Sequence, residues 1–330
     1  MVARLVFVHG IGGLRDTVGE LAEWTGALAD GMRAAGHSGL AARLTAGDAG
    51  ICSFANYADL FADPEAQGGP EPGGDGAADG ILAELLTGLV SALAEENAGG
   101  GEPRDDVRRH RERVLDHARA EAAPADQAQG ALSAVRRALN VATTLMALRP
   151  WGPVAGWAAP KLMVRDLAQV ARYLARGESD ASGLTLDTRI RRRLHTALGD
   201  TPAVVVAHSL GTVVALEALH ARTVRTPLLV TLGSPLSMRT VVRPRLRPQP
   251  PSTPEHVERW LNFWDKDDII AARPRLERDI APNTSGVLPR SRRTDADGVW
   301  VHSAAKYLAQ AAVAGPVAEA LTAPEHRSGS

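Results

Sequence analysis

Residues Pro202–Leu219 read PAVVVAHSLGTVVALEAL. A valine-rich run leads straight into Ala207-His208-Ser209-Leu210-Gly211, and apolar residues then resume. The first run has the composition of a buried strand, and the second continues as a helix. An ordinary turn between them would be marked by Gly, Pro or Asn at its tip. Here the tip is a hydroxyl flanked by small residues. A reactive serine explains the pattern. A sharp strand-to-helix turn exposes the hydroxyl, and its strained backbone demands small residues two before and two after, Ala207 and Gly211. The helix start near Leu210 points backbone N–H groups outward. This is the logic of the nucleophile elbow, usually Gly-x-Ser-x-Gly, with alanine here for the first glycine. A serine in a plain strand-to-helix turn is the bland alternative.

A second short apolar run, RLVFVHGIGG, ends at Gly10, Gly12 and Gly13. It fits a buried strand followed by a loop whose backbone N–H groups can approach a substrate oxygen closely. Ile11 and Leu210 are the expected amide donors, and His9 is expected to hold the loop. A phosphate-binding reading of GIGG lacks both the P-loop lysine and the spacing of a dinucleotide fingerprint.

Further strands are expected at 51–57, 227–236 and 257–264. Helices are expected at 17–35, stopped by Gly36, at 184–198, and at the C-terminal end after a short strand or turn near Trp300–His302. The proline-rich segment 242–254 reads as loop. Strands alternating with helices imply an α/β protein with a mostly parallel sheet of about six strands flanked by helices. Residues 61–183 break that alternation. The Gly/Pro-rich acidic stretch 63–80 reads as a flexible loop. Helical patterns follow at 80–96, 105–121, 128–148 and 160–176. The expected organisation is therefore a core of 1–60 and 184–322, an all-helical insertion at 61–183, and a loose tail at 323–330. Within the insertion, residues 139–174 are apolar on nearly every side. That allows a helix packed inside the insertion, a lid lining a lipophilic channel, or docking on a membrane surface.

The net charge of −1 supplies no field favouring nucleic acid or anionic membrane. Cys52 is the single cysteine, so no intrachain disulfide forms, in keeping with a reducing compartment. The run Leu5–Val8 is too short for a signal-peptide core, and no transmembrane pattern is present. These features point to a cytoplasmic protein, with peripheral membrane contact left open. No HExxH, paired cysteines or clustered His and carboxylate ligands call for a metal.

HGIGG at 9–13, AHSLGT at 207–212, NFWDKDDII at 262–270 and VHSAAKYL at 301–308 together resemble the α/β-hydrolase superfamily. Within it they are similar to the small lipase/esterase branch that includes GPI-inositol-deacylase-like proteins. The resemblance covers about 1–60 and 184–322 and leaves the insertion unmatched. It implies a minimal core lacking the first two strands, with the insertion as a cap. It also implies the chain order serine, acid, histidine. Asp265, Asp267 and Asp268 all qualify for the acid by position. The family pattern falls best on Asp268, ahead of Ile269-Ile270, with Asp265 as a turn former. Asp295 and Asp297 remain further candidates. His302 follows the acid on a loop into the last helix and is the implied base. His208, His195, His220, His110 and His117 read as packed or solvated, and His326 lies in the tail. The expectation is a serine hydrolase acting without a cofactor on a small acyl ester or related lipophilic substrate through Ser209, Asp268 and His302. Thioesterase, acyltransferase and peptidase chemistry use the same triad. A non-catalytic binding protein on the same scaffold is the contrasting class.

Overall fold

The computed structural model describes residues 3–13, 16–47, 52–62, 76–99, 113, 116, 140–143, 160–266, 268–271, 275–295 and 302–323. Residues 63–75 of the loop expected at 63–80, most of the helices expected at 105–121 and 128–148, Trp300, Asp267, Asp297, His110, His117, His326 and the tail from 324 lie outside the described residues.

The apolar runs form a six-stranded sheet, all parallel. Its strands are β1 (Arg4–Val8), β2 (Cys52–Ala55), β3 (Ala203–His208), β4 (Leu229–Leu232), β5 (Trp260–Asp265) and β6 (Pro289–Thr294). The order β2-β1-β3-β4-β5-β6 puts β3 in the interior, with Val8 opposite Ala207 and Leu232 opposite His208. The ends of β1, β3 and β4 thus meet at one edge, where ligand sites of open parallel sheets form.

Strand side chains alternate between two faces. Leu5, Phe7, Val204 and Val206 face one layer, where α1 (Thr17–Ala34) contributes Trp24, Leu28 and Met32. Val6, Val8, Val205 and Ala207 face the other. That second layer contains α3 (Gly76–Gly99) through Leu85 and Leu89, and α4 (Pro160–Ala175) through Met163 and Leu167. It also contains α5 (Leu186–Leu198) through Ile190 and Leu194, and α6 (Leu210–His220) through Val213 and Leu216. The described helices of the insertion therefore share one core with the sheet. Each fully buried leucine there contributes about 2 kcal/mol.

Two local expectations are corrected, and one helix appears where none was expected. The helix α3 begins at Gly76, inside the stretch 63–80 expected to be loop. Its first turn holds two alanines and Asp79, whose charge suits a helix N-terminus, and the glycines masked that propensity. A short helix α2 (Ser38–Thr45) follows α1 and is held by burial of Ala41 and Leu44. The polar segment before His302, for which no strand is expected, contains β6, PRSRRT. It has no apolar face because it is an edge strand, and exposed Arg290, Arg292 and Arg293 guard that edge. Gly36 does end the first helical layer element, at φ +88°. The amide of His37 bonds the carbonyl of Met32 at 2.8 Å behind it.

A buried ionic cluster ties α4 to the core. Just past α4, Arg176 adopts φ +58°, rare for a non-glycine residue. Its guanidinium bonds Asp187 of α5 at 2.8 Å and Glu217 of α6 at 2.6 Å. Arg191 bonds the same two carboxylates, and the Tyr173 hydroxyl donates to Glu217 at 2.8 Å. Burial alone would push the Asp187 carboxyl up, but bonds from Thr185, Arg191 and Arg176 hold it below the usual range. Arg176→Met should lower stability by about 3 kcal/mol, since both carboxylates stay buried with half their guanidinium partners gone. The shift in urea midpoint at constant slope measures it. A change under about 0.5 kcal/mol would show that the cluster does not brace the fold.

Among the described residues, no helix is long and apolar enough to cross a membrane.

Candidate active site

At the end of β3 the chain turns through Ser209 at φ +53°, ψ −129°. This is a strained conformation for a residue with a Cβ. Neighbouring bonds over-determine it. The amide of Ser209 donates to the Leu232 carbonyl at 3.0 Å, and its carbonyl accepts from the Thr212 amide and hydroxyl at 2.9 and 2.7 Å. The Thr212 hydroxyl also bonds Ser234 at 2.8 Å.

Small residues let the β1 loop cross this turn. A Cβ on Gly211 would sit 2.3 Å from the His9 carbonyl oxygen and 2.6 Å from that of Val8. A Cβ on Gly10 would sit 2.6 Å from the Ser209 Cβ. Ala207 is fully buried between Val8 and Thr231. His9 holds the loop as a bracket. Its Nε2 accepts from the Tyr57 amide at 3.0 Å, so Nδ1 carries the proton and donates to the Gly10 carbonyl at 2.7 Å. The Tyr57 hydroxyl also bonds the His9 carbonyl, and the two rings stack at 3.9 Å. Ile11 is half-buried against the core layer that contains the insertion helices. Gly12, at φ +143°, is bonded on both its amide and its carbonyl by the side chain of Gln169 on α4, at 3.0 and 2.8 Å.

Ser209, His302 and Asp268 stand in one hydrogen-bonded line. Ser209 Oγ lies 3.0 Å from His302 Nε2, and His302 Nδ1 lies 2.8 and 2.9 Å from the two oxygens of Asp268. Asp268 follows the end of β5, where its amide bonds the Asp265 carbonyl and its carboxylate accepts from the Ile270 amide at 3.0 Å. The Tyr307 hydroxyl donates to the other carboxylate oxygen at 2.8 Å and accepts the Asp265 amide at 3.0 Å. Burial opposes ionisation of Asp268. The positive charge His302 takes on when it is protonated, and the bonds from His302, Tyr307 and Ile270, outweigh it and hold the carboxyl below its usual range. Burial and the adjacent Asp268 charge push the Tyr307 phenol well up, so it stays a donor. An ionised carboxylate only accepts, so His302 Nδ1 carries the proton and Nε2 is left to accept from the Ser209 hydroxyl. Ser209 is 2% exposed and the His302 side chain 7%, so the turn presents the hydroxyl to His302 and not to open solvent, contrary to the exposed hydroxyl expected from the sequence.

The other candidates fall elsewhere. Asp265 is buried and joins the turn through its main chain. Asp295 is exposed beside Arg293. The His208 ring packs 4.6 Å from that of His302 and edge-on to Trp24. His195 and His220 bond the carbonyls of Ala218 and Ser252. Among the described residues, no group of three His, Cys, Asp or Glu side chains could hold a metal ion.

Three contributors were missed in the sequence. A Cβ on Gly233, at φ +52°, would meet the Asp268 carboxylate at 2.7 Å and the His302 ring at 3.0 Å. A glycine just past the apolar strand 229–232 was a usable signal. Tyr307 sits on α7 (Ala304–Leu308), directly after His302, and reads only as an apolar core position. Gln169 gave no local signal.

No family model, no curated protein and no solved structure matches this chain.

Proposed function

We propose that this chain is a serine hydrolase that cleaves an ester through an acyl-enzyme, in the manner of the α/β-hydrolases. The observation that carries the reading is the unbroken line from Ser209 Oγ through His302 to Asp268 at the edge of a parallel sheet. A packing serine and histidine would need neither the strained turn at Ser209 nor a buried carboxylate behind the ring.

In this reading Ser209 Oγ attacks the acyl carbon while His302 Nε2 takes its proton. Asp268 stabilises the imidazolium and keeps the ring in the productive tautomer. Charge develops on the carbonyl oxygen, where the amides of Ile11 and Leu210 receive it. Leu210 is the first residue of α6, so its N–H has no acceptor within the helix. The leaving alcohol takes the proton from His302, and water repeats the sequence on the acyl-enzyme. Ile11, on the loop that crosses the Ser209 turn, is a half-buried apolar side chain and suits a lipophilic acyl group. A single cysteine favours a reducing compartment, the cytoplasm.

A fluorophosphonate probe at neutral pH tests the reading. The intact protein should gain one probe mass, and the labelled peptide should map to Ser209. An unlabelled protein would favour a binding module on this scaffold.

A further inference from the structure

We propose that Gln169, on the insertion helix α4, is a positioning residue for the oxyanion loop, so that α4 belongs to the catalytic framework and is not a lid that lifts away. The inference rests on the serine hydrolase reading above.

The loop His9–Gly13 contains three glycines and can adopt many backbone conformations. Its active form needs the Ile11 amide aimed at one point. Gly12, the next residue, lies at φ +143°, a conformation that side-chain-bearing residues rarely adopt. Nothing intrinsic to glycine selects it. The Gln169 carboxamide does, because it is donor and acceptor at once. Its Oε1 accepts the Gly12 amide at 3.0 Å, and its Nε2 donates to the Gly12 carbonyl at 2.8 Å. Holding both sides of one residue fixes the peptide planes before and after it. The first joins Ile11 to Gly12. The plane that carries the Ile11 N–H, Gly10–Ile11, is held on its other side by the His9 ring at the Gly10 carbonyl, 2.7 Å away, so Ile11 is fixed from both flanks and Gln169 supplies the second. Gln169 is 6% exposed, so these bonds form away from competing water.

A clamp is only as rigid as its mount, and α4 is mounted along its length. Met163, Leu167 and Val170 are buried in the core. Arg172 donates to the Phe61 carbonyl at 3.0 Å and bonds Glu178 at 2.7 Å. Tyr173 and Arg176 reach Glu217, which lies on the helix that Ser209 opens. Moving α4 would break this buried cluster and release Gly12 together. Substrate must therefore enter without displacing α4.

The test compares Gln169→Leu, which keeps bulk but loses both bonds, with Gln169→Glu, which can still accept from the Gly12 amide. Gln169→Glu also keeps the test valid should the leucine variant fail to fold. For each, kcat and KM on an activated acyl ester are measured. So is the affinity for a trifluoromethyl ketone, to whose carbonyl carbon Ser209 Oγ adds as His302 Nε2 takes the hydroxyl proton, leaving an alkoxide in the oxyanion site. Losing one oxyanion donor lowers kcat by on the order of 10²–10³. A misaimed donor should lower it by about 10- to 100-fold with KM little changed. Ketone affinity should weaken by the same factor as kcat/KM. Wild-type kcat in folded variants, or a fall in kcat with unchanged ketone affinity, would overturn the proposal. In both cases fluorophosphonate labelling of the wild type would leave the hydrolase reading standing. A wild type that resists labelling would remove that reading and this one with it.

Discussion

Ser209→Ala should abolish turnover and leave the protein folded. The hydroxyl bonds His302 Nε2, and in the proposed reaction its loss removes the atom that would form the acyl-enzyme. Loss of a triad nucleophile lowers kcat by about 10⁴–10⁶, and the residual rate reflects binding and the oxyanion donors alone. The fold does not depend on the hydroxyl. The turn is held by the Ser209 main chain, through the Leu232 carbonyl and the Thr212 amide and hydroxyl, and alanine keeps all of these. Alanine also bears the same positive-φ strain as serine, so the native turn gains and loses little. The measurement is kcat on an activated ester beside a thermal melt. More than about a tenth of wild-type activity in a folded variant would remove Ser209 from the reaction.

Asp268→Asn should be the second severe lesion, lowering kcat by about 10⁴. The carboxylate receives three kinds of donor: His302 Nδ1–H, the Tyr307 hydroxyl and the Ile270 amide. Asparagine has one accepting oxygen and one NH₂ group. Tyr307 and Ile270 bond opposite oxygens, so the NH₂ must either face one of these donors or turn toward the ring. An NH₂ facing the ring would draw the imidazole into the tautomer with hydrogen on Nε2, which cannot accept the serine proton. The negative charge that offsets the imidazolium is lost in either case. Asp265→Asn should cost far less, because the hydrogen bonds that join Asp265 to Tyr307 and Asp268 come from its main chain, which asparagine keeps. Comparing kcat for the two variants decides between them. A dead Asp265→Asn beside an active Asp268→Asn would move the acid to the end of β5.

The contrast between these carboxylates shows where local reading stops. Several aspartates lie within a few residues of one another after the same apolar run, and spacing alone leaves them equivalent. What separates Asp268 from Asp265 is direction. The turn after β5 closes with the Ile270 amide on one Asp268 oxygen, and Tyr307, from the far end of the chain, holds the other. The edge strand β6 is a similar case. PRSRRT has neither apolar residues nor alternation, and only pairing with β5 makes it a strand. Gln169 is the extreme case, joined to Gly12 across 157 positions.

By itself the sequence determined the parallel α/β layout and the turn at Ser209. Each is written in a few adjacent residues: valine-rich runs long enough for a buried strand, and small residues where two backbones must cross. Burial and steric fit act over such short spans, so composition alone exposes them. The tertiary structure decided which carboxylate meets His302, what holds the glycine loop in one conformation, and that the insertion helices share the core of the sheet. Those outcomes depend on hydrogen-bond direction between residues far apart in the chain. A hydrogen bond weakens steeply with misalignment, and residue type and spacing carry no record of angle.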